Sequence, residues 1–167
     1  MISTDKIYLV GFMGAGKTSV AQALAARMAW RLEDIDERIE ARERMTIADI
    51  FRTRGEPYFR ALEREEIYGL LPLRHVVVAT GGGTFADADS RSAMLADGTV
   101  IWLDVPFAEI TERVPTDGRR PLAVDLEQLE QLYLARRVFY QLAHVRLDAG
   151  RGPVEELVER ILDQLGW

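Results

Sequence analysis

The sequence has 167 residues, of which 48% are hydrophobic and 29% are charged, a composition typical of one globular domain. The net charge of −6 argues against non-specific nucleic-acid binding, because such binding needs a basic surface. The absence of cysteine excludes disulfides and thiolate metal sites. No apolar run is long enough to span a membrane and the N-terminus lacks a signal-peptide pattern, so we expect a cytoplasmic protein.

Apolar runs alternate with helical patterns along the chain, which is typical of βαβ units and a parallel sheet. We predict strands at Lys6–Val10, Arg31–Asp34, His75–Thr80, Thr99–Asp104 and Val145–Asp148. We predict helices at Lys17–Ala29, Asp36–Arg44, Ile47–Arg54, Glu56–Leu71, Ala88–Leu95, Phe107–Val114, Leu126–Ala143 and Val154–Leu165, with Thr46 and Asp125 as N-caps. No linker or repeat divides the chain, so the pattern predicts a single three-layer α/β/α domain spanning residues 1–167.

The first predicted strand runs into GFMGAGKT, Gly11–Thr18, which matches the phosphate-loop pattern G-x-x-x-x-G-K-[ST]. Its glycines let backbone N–H groups face phosphate oxygens, and the following helix adds its N-terminal dipole. Lys17 can reach the transferring phosphate and Thr18 can ligate magnesium. A glycine-rich turn that binds nothing is the alternative, but a strand before it and a helix after it favour a nucleotide site. That site is predicted to comprise Gly14, Ala15, Gly16, Lys17, Thr18 and Ser19.

Two acidic residues, Asp34 and Asp36, follow the second predicted strand in LEDIDERIE. The strand should end at the same edge of the sheet as the phosphate loop, where open α/β sheets bind ligands. One carboxylate can then hold magnesium through its waters, and the other can accept a proton or hydrogen bond from a substrate hydroxyl. Alternatively, both residues serve only as N-terminal acids of the next helix.

Further along, GEPYFRALE places Phe59, Arg60 and Glu63 on one side of a predicted helix. An Arg–Glu pair such as Arg60 and Glu63, three residues apart on a helix, is often only a weak surface ion pair. The functional alternative is that Arg60 binds a substrate carboxylate or phosphate and Glu63 fixes its orientation.

The third predicted strand, in VVVATGGGTF, ends in three glycines, Gly81–Gly83, which suggests close approach of another group to the bare backbone. The segment Pro115–Asp125 contains two prolines and a pair of arginines and is predicted to be a mobile loop. Arginines around it are either solvated charge or a lid that closes over phosphates. These arginines are Arg113, Arg119, Arg120, Arg136 and Arg137.

Taken in this order, the motifs resemble those of the shikimate kinases over nearly the whole chain. The shared motifs are G-x-x-G-x-G-K-T, D-x-D, I-A-D-I-F…G-E…F-R…E, T-G-G-G, R-P-L and an arginine pair before F-Y. The resemblance implies a P-loop kinase fold like that of nucleoside monophosphate kinases, with a five-stranded parallel sheet in the order 2-3-1-4-5. It also implies a substrate-binding region at about 34–63 and a lid at about 113–125.

The reaction that the resemblance implies is transfer of the γ-phosphate of ATP to the 3-hydroxyl of shikimate, in the pathway toward chorismate and aromatic amino acids. Magnesium would be bound by Thr18 directly and by Asp34 through water. Catalysis would fall to Lys17, Asp36 and the lid residue Arg120, which also meets the nucleotide, while Arg113 stacks on adenine. Shikimate would be bound by Asp36, Phe59, Arg60, Glu63, Gly81, Gly82, Gly83 and Arg137.

Where the family often has R-x-P-L-Y, this chain has RRVFY, and of its two arginines we assign Arg137, rather than Arg136, to the substrate carboxylate. The family also leads us to expect a monomer, with no membrane or nucleic-acid partner. A kinase of another acceptor, such as gluconate or a nucleoside monophosphate, is the second interpretation. The third is a non-catalytic relative that binds a partner, although such a relative would be expected to lose Lys17, Asp36 or Arg120.

Overall fold

A computed structural model describes residues 4–114 and 125–167, and its centre is a five-stranded parallel sheet. The strands are β1 Lys6–Val10, β2 Arg31–Asp34, β3 Val76–Ala79, β4 Thr99–Asp104 and β5 Val145–Asp148. Their order is β2-β3-β1-β4-β5, which confirms the order implied by the resemblance. Lys6 is paired with Val76 and Ile7 with Thr99, so β1 lies at the centre of the sheet.

Eight α-helices connect or flank the strands in the described part of the chain. They are α1 Lys17–Met28, α2 Ile35–Glu43, α3 Ile47–Arg54, α4 Glu56–Leu70, α5 Ala88–Asp97, α6 Phe107–Arg113, α7 Leu126–Tyr140 and α8 Val154–Leu165. Thr46 and Asp125 cap α3 and α7 through their side-chain oxygens, as predicted. One element was missed from the sequence, a short 3₁₀ turn at Thr84–Ala86 that follows the three glycines.

Several predicted elements were too long at an end, α1, α4 and α6 by one residue each, while α5 was predicted two residues too short. The third strand does not include His75, because this residue has a φ of 55° and lies outside the extended region. Helix α7 ends at Tyr140 rather than Ala143, since the N–H groups of Leu142 and Ala143 donate to the carbonyls of Phe139 and Tyr140 in a tighter turn.

The sheet is covered by helices, which explains why β1, β3 and β4 are wholly buried and apolar in pattern. Helix α1 packs against α8, and α4 packs against α3 and α5. Helix α8 buries Val158, Ile161, Leu162 and Leu165, an i, i+3, i+4, i+7 stripe that needs an apolar neighbour. No helix in the described ranges is long and apolar enough to cross a membrane.

At the edge of the sheet opposite the phosphate loop, the fully buried Lys6 makes a network with Asp97. Its Nζ lies 2.5 Å from Asp97 Oδ2 and also donates to the carbonyls of Leu70 and Leu71. Tyr8 donates to the same carboxylate oxygen at 2.6 Å. Burial alone would raise the pKa of Asp97, but the hydrogen bonds from Lys6 and Tyr8 outweigh it and hold the pKa below its usual value.

We expect Asp97→Asn to lower the free energy of unfolding by about 3 kcal/mol at neutral pH, because the ammonium of Lys6 stays buried without its counterion. Urea unfolding would measure this loss. A carboxyl whose pKa is depressed by folding stabilises the protein above its unfolded pKa, and this contribution disappears as the pH falls through the folded pKa. The difference between the two proteins should therefore shrink toward acid pH.

The control for this experiment is Glu159→Gln, which removes an exposed ion pair with Arg27. Such a pair contributes at most about 1 kcal/mol. Equal losses from both substitutions, or a difference that does not shrink in acid, would contradict the account.

Candidate active site

The phosphate loop joins β1 to α1 and has the backbone conformation that its glycines suggest. Gly14 and Gly16 have φ values of 79° and 91°, in the left-handed region where residues with a Cβ are strained. A Cβ on Gly14 would also lie 2.7 Å from Val114 Cγ2. Lys17, the first residue of α1, donates from Nζ to the carbonyls of Gly11 at 2.6 Å and Phe12 at 2.9 Å. The ammonium is therefore held at the loop itself.

A cavity of about 440 Å³ opens above the phosphate loop. All the predicted nucleotide-binding residues in the described ranges line it, namely Gly14, Ala15, Gly16, Lys17, Thr18, Ser19 and Arg113. The wall opposite them is formed by the segment between β5 and α8, which sequence reasoning missed. The signal was present in AGRGP, where Gly150 and Gly152 sit between a strand and a helix much as the phosphate-loop glycines do.

Thr18 and Asp34 lie together at the edge of this cavity. The Thr18 hydroxyl donates to Asp34 Oδ2 at 3.0 Å, and Asp34 Oδ1 accepts from the backbone N–H of Glu37. Asp34 is thus both the N-cap of α2 and an oxygen ligand within reach of the phosphate loop. Within residues 4–114 and 125–167, no group of three or more His, Cys, Asp or Glu residues could hold a metal by itself. The pair fits a magnesium ion that takes its other ligands from water and phosphate.

A second, smaller cavity of about 60 Å³ adjoins the first. It is lined by Met13, Asp36, Ile47, Phe51, Phe59, Arg60, Glu63, Gly81, Gly82, Gly83 and Arg136. Met13, Asp36, Gly81 and Gly82 line both cavities. Asp36 therefore lies at the junction, where a group in one cavity meets a group in the other.

Helix α4 delivers Arg60 and Glu63 to the second cavity. Arg60 Nη1 lies 2.5 Å from Glu63 Oε1, and the carboxylate of Glu63 is almost fully buried. Burial opposes the charge on Arg60, but the ion pairs with Glu63 and Glu56 outweigh it and raise the pKa of the guanidinium above its usual value. The guanidinium also lies 5.3 Å from the ring centre of Phe59, a cation–π contact. Arg60 is therefore held, charged, in one orientation.

The three glycines give that guanidinium its space. A Cβ on Gly83 would lie 2.7 Å from Arg60 Cζ, and a Cβ on Gly81 would lie 3.0 Å from Glu63 Oε2. Neither residue has a φ in the left-handed region, so the requirement is for room rather than for an unusual backbone. From the sequence we expected another group to come close to the bare backbone of Gly81–Gly83. In the structure, a Cβ at Gly81 or Gly83 would press on the protein's own charged side chains, and Glu63 or Arg60 would have to shift.

The assignment of Arg137 to this cavity is wrong, and the correction is Arg136. Arg137 points away, donates to Asp104 Oδ1 at 2.6 Å and stacks on Trp102 with its Cζ 4.8 Å from the ring centre. Arg136 is buried and lines the second cavity. It lies four residues before Tyr140 and so shares its helix face, whereas Arg137 is rotated from Arg136 by about 100°.

Two other predicted residues belong to the lid. Arg120, with the rest of residues 115–124, lies outside the described residues. Arg113, at the end of α6, donates to the carbonyl of Gly14 at 3.1 Å and lines the larger cavity. Its predicted stacking on adenine stays a prediction.

Comparisons with known proteins point to one family. The family model of shikimate kinase matches residues 13–166. A shikimate kinase from Sulfurihydrogenibium is 41% identical over 160 residues, covering 95% of this chain and 96% of that protein. One from Persephonella marina is 42% identical over 161 residues, covering 95% and 98%. The solved structure of Acinetobacter baumannii shikimate kinase in complex with shikimate superposes with a TM-score of 0.93 at 33% identity, covering 98% of this chain and 93% of that one.

Proposed function

This chain belongs to the shikimate kinase family, and we propose that its two adjoining cavities hold ATP and shikimate for transfer of the γ-phosphate to the 3-hydroxyl. The observation that carries the proposal is the position of Asp36, which lines both cavities. Phosphoryl transfer needs the acceptor hydroxyl in line with the γ-phosphate, so the reacting groups must meet where the two cavities join. Asp36 is the acidic side chain at that point. It binds the hydroxyl and accepts its proton.

The larger cavity is assigned to ATP. Backbone N–H groups of Gly14, Ala15 and Gly16 bind the phosphates, and Lys17 leaves the loop carbonyls to meet the transferring group. Thr18 and Asp34, whose side-chain oxygens lie 3.0 Å apart, would hold magnesium, Thr18 directly and Asp34 through water. When bound, the ion neutralises negative charge on the phosphate oxygens.

The smaller cavity is assigned to shikimate. Arg60 and Arg136 approach it from α4 and α7 and together bind the carboxylate of the substrate, with Glu63 holding Arg60 in place. The Nη1 atom of Arg136 is buried and has no hydrogen-bond partner among the described residues. A buried donor of this kind is costly, and a carboxylate ligand would satisfy it.

Further assignments rest on the resemblance alone. Arg120 is proposed to bring positive charge onto the γ-phosphate from the lid, and Arg113 to stack on adenine. On the same resemblance, we also propose a cytoplasmic monomer. The proposed reaction is a step in the pathway toward chorismate.

The test is ADP production in a coupled assay with ATP and magnesium, comparing shikimate, gluconate, AMP and no acceptor. We expect turnover with shikimate alone. Turnover only with another acceptor would contradict the assignment of the smaller cavity while leaving the nucleotide site in place. ATP binding without turnover on any acceptor would favour a non-catalytic relative.

The two neighbouring arginines of α7 give a matched pair of variants. We expect Arg136→Lys to raise the KM for shikimate about tenfold or more, because an ammonium cannot replace the planar guanidinium at a carboxylate. Arg137→Lys, by contrast, changes a contact with Asp104 outside the cavity and should leave that KM within about twofold of wild type. Steady-state kinetics at saturating ATP would measure both. A larger effect from Arg137→Lys would restore the assignment made from the sequence.

A further inference from the structure

Two hydroxyl groups from different elements hold the backbone of the glycine loop Gly81–Gly83. One belongs to Thr84 and the other to Tyr140. We propose that Thr84 and Tyr140 are positioning residues, which fix the glycine loop against the two carboxylate-binding arginines, Arg60 and Arg136. This inference rests on the proposed roles of those arginines.

The Thr84 hydroxyl connects the loop to Arg60. Its oxygen accepts from the backbone N–H of Gly81 at 3.0 Å and lies 2.6 Å from Glu63 Oε2. Because a backbone N–H can only donate, the hydroxyl proton is directed to Glu63. The other oxygen of Glu63 accepts from Arg60 at 2.5 Å. One continuous chain of hydrogen bonds thus runs from the loop through Thr84 and Glu63 to the guanidinium.

The Tyr140 hydroxyl connects the loop to Arg136 in a similar way. It donates to the carbonyl oxygen of Gly82, and its side chain is almost fully buried. Burial raises the pKa of Tyr140, and the charge and side-chain hydrogen bond of Arg136 oppose that rise. A Cβ on Gly82 would lie 3.9 Å from Arg136 Nη1, so Arg136 lies beside the residue that the Tyr140 hydroxyl holds.

Neither hydroxyl belongs to the cavity itself. Within the described ranges, the lining of the smaller cavity contains neither Thr84 nor Tyr140. Glycines have no side chain that could anchor them, so the loop is held through the N–H of Gly81 and the C=O of Gly82. A shift of the loop would carry it into Arg60 or away from Arg136, and the carboxylate pocket would lose its shape. Both residues should therefore act on substrate binding through the arginines.

The test uses Thr84→Val, which keeps the shape of the side chain but removes the hydroxyl, and Thr84→Ser, which restores it. We expect Thr84→Val to raise the KM for shikimate about tenfold with the KM for ATP unchanged, and Thr84→Ser to return it to within about threefold of wild type. In an Arg60→Lys background, Thr84→Val should have a much smaller effect on kcat/KM, because both changes act on one chain of hydrogen bonds. Independent effects that multiply would contradict the proposal.

Tyr140→Phe provides the second, independent arm, which keeps the proposal testable if Thr84→Val does not fold. It should raise the KM for shikimate selectively, with a much smaller effect in an Arg136→Lys background. Its matched control is Tyr133→Phe, which removes another buried hydroxyl of α7. The Tyr133 hydroxyl donates to the backbone carbonyl of Val105 at 2.7 Å. This control should lower thermal stability without raising the KM for shikimate.

The outcomes separate this inference from the proposed function. If the wild-type protein phosphorylates shikimate but Thr84→Val and Tyr140→Phe leave the KM for shikimate unchanged, the inference fails and the proposed function stands. Equal increases in the KM values for shikimate and ATP would show that both hydroxyls have only a general structural role. This result would overturn the inference. If the wild-type protein does not phosphorylate shikimate, the proposed function and this inference fail together.

Discussion

The packing of the Arg60 guanidinium against the bare backbone of Gly83 is the contact on which the geometry of the substrate site depends. A Cβ at this position would lie 2.7 Å from Arg60 Cζ, so a side chain there would require the guanidinium to move from the place where α4 holds it. The absence of a side chain also lets the carboxylate of Glu63 approach Gly81. The glycine loop after β3 therefore leaves space for charged groups from a neighbouring helix. Asp34, after β2, lies beside Thr18 and is the acid proposed to serve magnesium.

The parallel sheet explains why the remaining parts of the site come together. The phosphate loop, Asp34, the glycine loop and the segment after β5 all follow the carboxyl ends of strands, and these ends lie at one edge of the sheet. The central position of β1 puts the phosphate loop between β3 and β4. Asp36, the second residue of α2, then reaches the junction of the two cavities. The sheet topology places these residues close together, and the proposed selectivity for a carboxylate comes from Arg60 and Arg136.

Sequence patterns were sufficient for the strands and for the phosphate-loop residues that line the larger cavity, because each rests on local information. Apolar runs such as IYLV indicate buried parallel strands. The eight residues GFMGAGKT contain both the glycines of the turn and the lysine and threonine predicted to bind phosphate and magnesium. Arg136 and Arg137 could have been separated this way, because R-x-P-L-Y laid on RRVFY puts its arginine at position 136, four residues before Tyr140. Thr84 was missed because its hydroxyl acts on Glu63, 21 residues away. Tyr140 acts on Gly82 across 58 residues.

The most direct test of this account is the affinity of Gly83→Ala for shikimate and for ADP, measured by calorimetric titration. Gly69→Ala, at an exposed position of α4, is the matched control for an added methyl group. The account expects shikimate affinity to fall about tenfold or more in Gly83→Ala, because the methyl group displaces Arg60 from its carboxylate-binding position, while ADP affinity stays within about twofold. Unchanged shikimate affinity, or an equal loss for both ligands, would contradict the claim that this glycine exists to make room for the arginine.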